Sequence, residues 1–312
     1  MKALIIGAAG FVGKYLAEHL LAEGWDVAGT KLPTETTNLP VPVYDLEILD
    51  PPAITELLES EKPDVIFHLA ALSSVALSWK QPALTVDINI KGAVNLLEAV
   101  RAMEKPPRVL LIGSGEEYGY VQPEELPIQE DTVLRPGNIY AATKIAQGLL
   151  GQIYAKSYGL EVVIVRAFNH IGPGQTDTFV IPEFCKQVAR IEAGLSEPVI
   201  YVGNLEAKRD FTDVRDIVRA YRLLAEKGES GIIYNVGSGK AVSIADMLGE
   251  ILSLTDAIIL VELDPLRMRP SDTPIIEADI TRLQSLTGWK PEIPIEQTLI
   301  DILDEWRKIP GM

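Results

Sequence analysis

The sequence predicts an α/β protein built on a doubly wound parallel sheet, with a smaller C-terminal α/β domain for a substrate. Three observations carry this. The chain opens on an apolar run that ends in glycines three apart. Short apolar runs then alternate with helical stretches through the first half. After Arg166 the alternation gives way to segments rich in proline, glycine and polar residues. At 312 residues the chain can bury a substantial core and hold about two domains. We place the first at residues 1–167, with returning segments near 207–236, and the second mainly at 168–312.

The elements follow in order. Met1 to Ile6 carries no charge after Lys2 and runs into Gly7-Ala-Ala-Gly10-Phe11-Val12-Gly13, after which Leu16, Leu20 and Leu21 stand at helical spacing. This is a buried strand opening into a helix. Gly7 allows a tight turn, Gly10 lets backbone approach a pyrophosphate, and Gly13 lets the helix pack on the strand with its N-terminus facing phosphates. Trp25 to Gly29 forms the second strand. Asp50 caps a helix that starts on Pro51-Pro52, continues through Glu56, Leu57 and Leu58, and stops near Lys62-Pro63. Val65 to Leu69, Val109 to Ile112 and Val162 to Val165 are further strands, and two longer helices are expected at 80–103 and 138–158. Beyond Arg166, breakers gather at Ile171 to Gly174, Glu197-Pro198 and Leu263 to Pro274. Internal repeats and low-complexity segments are absent.

The net charge of −16 argues against nucleic acid or an anionic membrane as partner, since both demand a basic surface. No apolar run reaches the roughly twenty residues of a membrane span, and the N-terminal run leads into glycines and a helix rather than a cleavage site. A cytoplasmic location is the expectation. The single cysteine, Cys185, excludes an internal disulfide and reads as a packed residue. Histidines at 19, 68 and 170 are too scattered for a metal site.

Tyr140-Ala-Ala-Thr-Lys144 puts a phenol and an ammonium four residues apart, on one helical face. The ammonium favours the phenolate of a tyrosine whose reference pKa is about 10. Joined to the glycine turn, the pair implies redox chemistry.

With Gly7-Ala-Ala-Gly10-Phe11-Val12-Gly13, Asp45-Leu46, His68-Leu69-Ala70-Ala71, Asn89 and Tyr140-x-x-x-Lys144 in this order, the chain resembles the extended short-chain dehydrogenase/reductase family. The resemblance covers nearly the whole length and implies a Rossmann-type first domain. It implies that the glycine turn with Phe11 and Val12 holds a dinucleotide, that Asp45 and Leu46 meet its adenine end, and that Leu69, Ala70 and Ala71 line its centre. Asn89 would steady a helix facing the sheet. The implied catalytic trio is Ser114, Tyr140 and Lys144. Tyr140 would protonate a developing alkoxide, Ser114 would hydrogen-bond the reacting oxygen, and Lys144 would lower the tyrosine pKa and grip the nicotinamide ribose.

Val202 to Asp210 resembles the corresponding stretch of GDP-mannose 4,6-dehydratases and their partner reductases, as do Phe168 to Gln175 and Arg267-Met268-Arg269-Pro270. The resemblance implies a GDP-sugar site drawing on Asn169, Gly203, Asn204, Arg209 and Arg269, with Lys186 and Arg190 on a nearby helix. Arginine suits a diphosphate because its fork pairs two oxygens. Ser114-Gly115-Glu116 departs from the dehydratases, which carry a polar residue where Gly115 stands. Glycine cannot donate a proton, so water elimination should be impaired while ketone reduction is not. Glu116 would orient a sugar hydroxyl.

The reading is therefore reduction of a GDP-linked 4-keto-6-deoxyhexose at carbon four, giving GDP-rhamnose or its C4 epimer. The rivals are a GDP-mannose 4,6-dehydratase, a nucleotide-sugar 4-epimerase and a non-catalytic dinucleotide-sensing scaffold, which would have no use for the trio. No acid stands at the end of the second strand to bond a ribose 2′-hydroxyl, and Lys31 could meet a 2′-phosphate. NADPH is favoured, with NADH also accepted. The dehydratases carry an Arg-Arg stretch where this chain has Gly174-Gln175, which speaks against their tetramer. Pairing of the two long helices, usual in the family, would give a homodimer.

Overall fold

The structure is a computed structural model that describes residues 1–267 and 273–309. Seven strands form one parallel sheet. Five come from the first half: β1 (Lys2–Ile6), β2 (Asp26–Lys31), β3 (Val43–Asp45), β4 (Val65–His68) and β5 (Arg108–Ser114). They are followed by β6 (Val162–Ala167), then β7 (Asn169–Ile171), β8 (Val199–Val202) and β9 (Lys208–Asp213), and by β10 (Ile233–Val236). The order across the sheet is β10-β6-β5-β4-β1-β2-β3, with every pair parallel. The order reverses at β1, between β2 and β4, so the β1 and β4 carboxyl ends form the crevice where such sheets bind ligands.

Helices α1 (Phe11–Ala22), α2 (Pro51–Glu61), α3 (Val75–Lys80), α4 (Pro82–Val86), α5 (Gly92–Ala102) and α6 (Ile139–Tyr158) join the strands up to β6. Side chains alternate along the buried strands. Ala3 and Ile5 pack with α1 residues Leu16, Ala17 and Leu20, whereas Leu4 and Ile6 pack on the other face with α2 and α5 residues such as Leu58 and Leu96. Both faces are thereby covered, as a wholly parallel sheet requires.

The later helices are α7 (Val180–Glu192), α8 (Val214–Lys227), α9 (Ile244–Ser253), α10 (Thr281–Thr287) and α11 (Ile295–Arg307). α8 lies against α1, and β10 extends the large sheet at β6. A second core joins α7, α9 and α11 through Phe184, Met247 and Leu299. A small sheet sets β9 between β11 (Ala241–Ser243) and β13 (Ile275–Ile276), with β7 also paired to β9, and β12 (Leu260–Leu263) runs parallel to β8. Cys185 is buried in this second core and free, as a packed residue.

The N-cap at Asp50 is present, its carboxylate accepting from Ala53 N at 3.2 Å, and the helix ends on Lys62 in the left-handed region. The helix expected at 80–103 runs without a break from Pro82 to Ala102; it starts on Pro82, whose missing N–H suits a first helical position, and Gln81 separates it from the short α3. Between α4 and α5, Asp87–Lys91 forms one π-helical turn that sets Asn89 against other chain segments. Asn89 Nδ2 donates to Thr143 Oγ1 at 2.9 Å and to Leu72 O at 3.2 Å, and its Oδ1 accepts from Leu72 N at 2.8 Å. Asn89 thus ties the β4–α3 connection to α6. Strands β5 and β6 each run two residues past their expected ends, to Ser114 and Ala167, which share a register.

Candidate active site

The turn after β1 is built around two close approaches. Gly7 sits at φ +92°, and a Cβ there would lie 3.0 Å from Ala70 N. A Cβ on Gly13 would lie 2.5 Å from Gly7 O and 2.7 Å from both Cα and O of Ala8. Only hydrogen fits between α1 and the turn. Gly10 caps the helix with no side chain, and the first turn holds no acid, so the amides of Phe11, Val12 and Gly13 present an uncompensated positive end. Leu69 and Ala70 close the other side, both donating to Ile6 O. This cradle fits a pyrophosphate, which needs backbone amides and a helix N-terminus rather than side chains. Phe11 also stacks on His170 of β7 with rings 6.3 Å apart.

At the end of β2, Lys31 faces Asp45 in the strand register and forms an ion pair and hydrogen bond with it. Leu46 is buried beside them and donates to Lys31 O at 2.9 Å. Lys31 and Asp45 therefore lie together where a ribose and adenine would meet the sheet.

Ser114 is the last residue of β5, Tyr140 the second of α6, and Lys144 one turn further on. Asn138 begins α6 by accepting from Ala141 N at 2.8 Å. The Tyr140 hydroxyl hydrogen-bonds the Ser114 side chain. Lys144 Nζ donates to Ile112 O at 2.8 Å and Gln147 Oε1 at 3.0 Å, and stands 6.0 Å from the centre of the Tyr140 ring.

The electrostatics differ from the sequence expectation. Burial pushes the Tyr140 phenol well above its usual value, the Ser114 hydrogen bond opposes this, and the carboxylates of Glu117 and Glu116 add to it. Lys144 does not pull it down here. Burial instead lowers Lys144 itself to about 8, against the raising effect of Glu117. Beside Lys144, His68 is fully buried with no hydrogen-bond partner on either ring nitrogen. Burial, aided by the Lys144 charge, lowers its pKa to about 3 and keeps it neutral.

Gly115 lies against the Phe168 ring, whose nearest atoms would be 3.1–3.3 Å from an added Cβ. A side chain at 115 would require that ring to give by a few tenths of an ångström. Glu116 Oε2 accepts from Asn138 Nδ2 at 3.1 Å, which turns it toward the start of α6.

The described residues singled out for a nucleotide diphosphate lie on the small sheet, on α7 and in the loop after β8. Asn169 heads β7 beside β9, opposite Phe211. Arg209 Nη1 donates to Thr273 O and Lys208 O, both at 2.8 Å. Gly203 lies so close to the turn Pro265–Arg267 that a Cβ would sit 2.6 Å from Arg267 O. Asn204 Oδ1 accepts from Glu206 N at 3.0 Å. On α7, Lys186 pairs with Asp177 at 2.6 Å, and Arg190 Nε donates to Ser196 Oγ at 3.0 Å. Arg267 pairs with Glu183 at 2.5 Å. Arg269, with Met268 and Pro270, lies outside the described residues.

Sequence reasoning missed Glu117 and Arg166, although Ser114-x-x-Glu117 has the spacing of a capping box. Glu117 Oε1 does accept from Ser114 N at 2.8 Å. It also missed Asn138, whose place at a helix start was a readable signal.

A strand–glycine-turn–helix cradle, with serine, tyrosine and lysine gathered beyond the carboxyl ends of a doubly wound sheet, defines an extended short-chain dehydrogenase/reductase. Residues 4–302 match the family described as GDP-mannose 4,6 dehydratase, and the chain belongs to it. It is 37% identical over 305 residues to the GDP-6-deoxy-D-mannose reductase of Pseudomonas aeruginosa, covering 98% of this chain and 97% of the relative. It is 29% identical to a GDP-mannose 4,6-dehydratase of Vibrio cholerae, covering 99% and 94%. Among solved structures, RMD from Pseudomonas aeruginosa complexed with NADPH superposes with a TM-score of 0.88 at 35% identity, over 98% of this chain and 99% of that one. Among the described residues no group of three or more metal-ligating side chains occurs, and no helix is long and apolar enough to cross a membrane.

Proposed function

We propose that this chain reduces the C4 ketone of GDP-4-keto-6-deoxy-D-mannose with NADPH, yielding GDP-D-rhamnose or its C4 epimer, and accepts NADH as a second donor. The observation that carries the choice within the family is Gly115. It offers no acid for elimination, and Phe168 packs against the space a side chain would need. Kinship with the Pseudomonas reductase at 37% identity supports the same reading.

When bound, NADPH supplies hydride to carbon four. The chain supplies the proton and the geometry. Ser114 donates a hydrogen bond to the ketone oxygen, and Tyr140 delivers its phenolic proton to that oxygen as negative charge develops there. The C=O π bond breaks, one C–H and one O–H bond form, and the tyrosine is reprotonated from solvent. A reductase needs Tyr140 neutral at the outset, which burial and the two carboxylates favour. Lys144, fixed by Ile112 O and Gln147, presents its ammonium to the nicotinamide ribose. The cradle at Gly7, Gly10, Phe11, Val12 and Gly13 takes the pyrophosphate, and Leu69, Ala70 and Ala71 flank it. Lys31 meets the 2′-phosphate once Asp45 turns to the adenine. Residues 1–167 with α8 and β10 would form the cofactor-binding part. The small sheet, α7 and the loop after β8 would take the GDP-sugar through Asn169, Lys186, Gly203, Asn204 and Arg209, with Arg269 added as the sequence resemblance implies and Glu116 on a sugar hydroxyl.

Purified protein mixed with the keto-sugar and NADPH should consume the cofactor stoichiometrically and give a GDP-6-deoxyhexose by NMR. The rate constant kcat/KM, which reports free-enzyme groups, should fall above about pH 8 as Lys144 loses its proton, while Tyr140 keeps its own through that range. Conversion of GDP-mannose to the keto-sugar without net change at the nicotinamide absorbance would establish the dehydratase instead.

The same reading includes a homodimer. Leu149 and Ile153 stand four apart on α6, each 52% exposed, and α4 beside it exposes Leu84 and Val86. Sedimentation should give twice the chain mass, and Leu149→Glu with Ile153→Glu should give monomers. A wild-type protein sedimenting as a monomer would remove this face from consideration.

A further inference from the structure

Beneath the serine and tyrosine lies a buried ion pair that the proposed chemistry does not use. Glu117 is 1% exposed and Arg166, on β6, 5% exposed. Glu117 Oε2 accepts from Arg166 Nε at 2.7 Å, and Oε1 accepts from the backbone N–H of Ser114 at 2.8 Å. A Cβ on Gly113 would lie 2.3 Å from Glu117 Oε1, so the carboxylate rests directly on the β5 backbone, one residue from the carbonyl of Ile112 that holds Lys144. Arg166 is fixed in turn, its Nη1 donating to Tyr118 OH and to Glu130 O, each at 3.0 Å. Tyr118 OH donates to Asn235 Oδ1 at 2.6 Å, and Asn235 N donates to Glu130 Oε1 at 3.1 Å. The network joins β5, β6, β10 and the loop before α6 at the point where Ser114 leaves the sheet.

We propose that Glu117, clamped by Arg166, is a positioning residue for the reduction: it fixes the backbone of Ser114 and places one buried negative charge behind Tyr140 and Lys144. The inference rests on the reductase reading given above. A pair in the interior is weak evidence for stability, because desolvation offsets most of its attraction. An apolar pair could fill the same volume, so the charge calls for another reason.

The groups facing the site agree in sign. Glu116, Glu117, the Ser114 hydroxyl and Tyr221 of α8 surround Tyr140. Glu117 and the neutral His68 of β4 face Lys144. Arg166, Lys144 and Tyr118 face Glu117. Burial raises the Glu117 carboxyl above its usual range, and Arg166 and the Ser114 N–H offset only part of that rise. Both oxygens receive N–H donors, and that geometry satisfies the ionised form. A carboxylate there holds the proton on Tyr140 and the charge on Lys144, which are the two protonation states a ketone reductase uses.

The test compares wild type, Glu117→Gln and the double variant Glu117→Leu with Arg166→Met, which removes both charges without stranding either. Each is assayed for Tm, for NADPH binding by fluorescence across pH, and for kcat and KM. The expected result in a folded variant is a kcat lowered about tenfold or more with KM little changed, since misplacing Ser114 affects the reacting oxygen rather than the remote nucleotide contacts. The alkaline limb of both kcat/KM and NADPH binding should move down by on the order of one pH unit, because Lys144 loses its opposing charge. A folded variant with wild-type kcat and an unmoved limb overturns the proposal. Collapse of both variants also overturns it, in favour of a purely structural pair. If wild type binds NADPH but leaves the keto-sugar untouched, the reductase reading fails, and the pH profile of binding still decides whether Glu117 governs Lys144.

Discussion

Tyr140→Phe should lower kcat by about 10²–10⁴-fold, the range that general acid catalysis contributes. The phenylalanine ring fills the same buried space, and the lost hydroxyl bonds only the Ser114 side chain, which keeps its contact with Glu116 N at 3.2 Å. Stability should change by no more than about 1 kcal/mol. NADPH affinity should stay near wild type, because the cradle at Gly7 to Gly13 and the Lys144 contacts to Ile112 and Gln147 do not involve the phenol. Steady-state kinetics with a fluorescence titration separate the two quantities. A variant within about threefold of wild-type kcat would remove Tyr140 as proton donor, since no general acid is worth so little. Wild type should hold its Tyr140 proton to high pH, so the defect should be equally deep at pH 6 and pH 8.

Gly13→Ala should damage fold and cofactor binding together. The added methyl would meet only backbone, at 2.5 Å from Gly7 O and 2.7 Å from Ala8, and backbone in a tight turn cannot rotate away. Relief requires α1 to lift off the turn. That overpacking should cost about 1–3 kcal/mol and lower Tm by several degrees. The amides of residues 11–13 lift with the helix, so NADPH affinity should fall about tenfold or more. Gly10→Ala is the control. Its Cβ would come no closer than 3.4 Å to Gly7 O, an ordinary contact, so it should keep Tm and lose affinity only where the methyl meets the pyrophosphate. Equal Tm values and equal NADPH affinities in the two variants would contradict this account of the turn.

The features legible in the sequence are those set by neighbours along the chain. The first strand, the glycine turn, the Asp50 cap and the Tyr140–Lys144 pair each depend on spacings of a few residues. The helix expected at 80–103 is present from Pro82 to Ala102, but its π turn is not legible, because it leaves the apolar pattern almost unchanged while moving Asn89 to partners 17 and 54 residues away. The site misreadings share this origin. Lys144 beside Tyr140 suggested a lowered phenol pKa, but burial by distant segments outweighs one neighbour. Lys31 reads as an unpaired cation until β3 is laid beside β2 and brings Asp45 across. Glu117 was missed because its partner Arg166 comes from β6, 49 residues on. Long-range pairing creates these environments, and no local spacing encodes it.

The placing of β10 has an evolutionary consequence. Residues 233–236 complete the sheet beside β6 after the chain has supplied β7 and β9 of the small sheet and before it supplies β11 and β13, and Asn235 ties that strand to Ile128 and Tyr118. Under the proposed division of the chain, a single crossover near residue 167 would therefore not exchange sugar preference cleanly among relatives. Such a chimera would inherit its last sheet strand from one parent and the edge it must match from the other. Productive recombination would need two donor blocks, one before α8 and one after β10, with the intervening helix and strand retained.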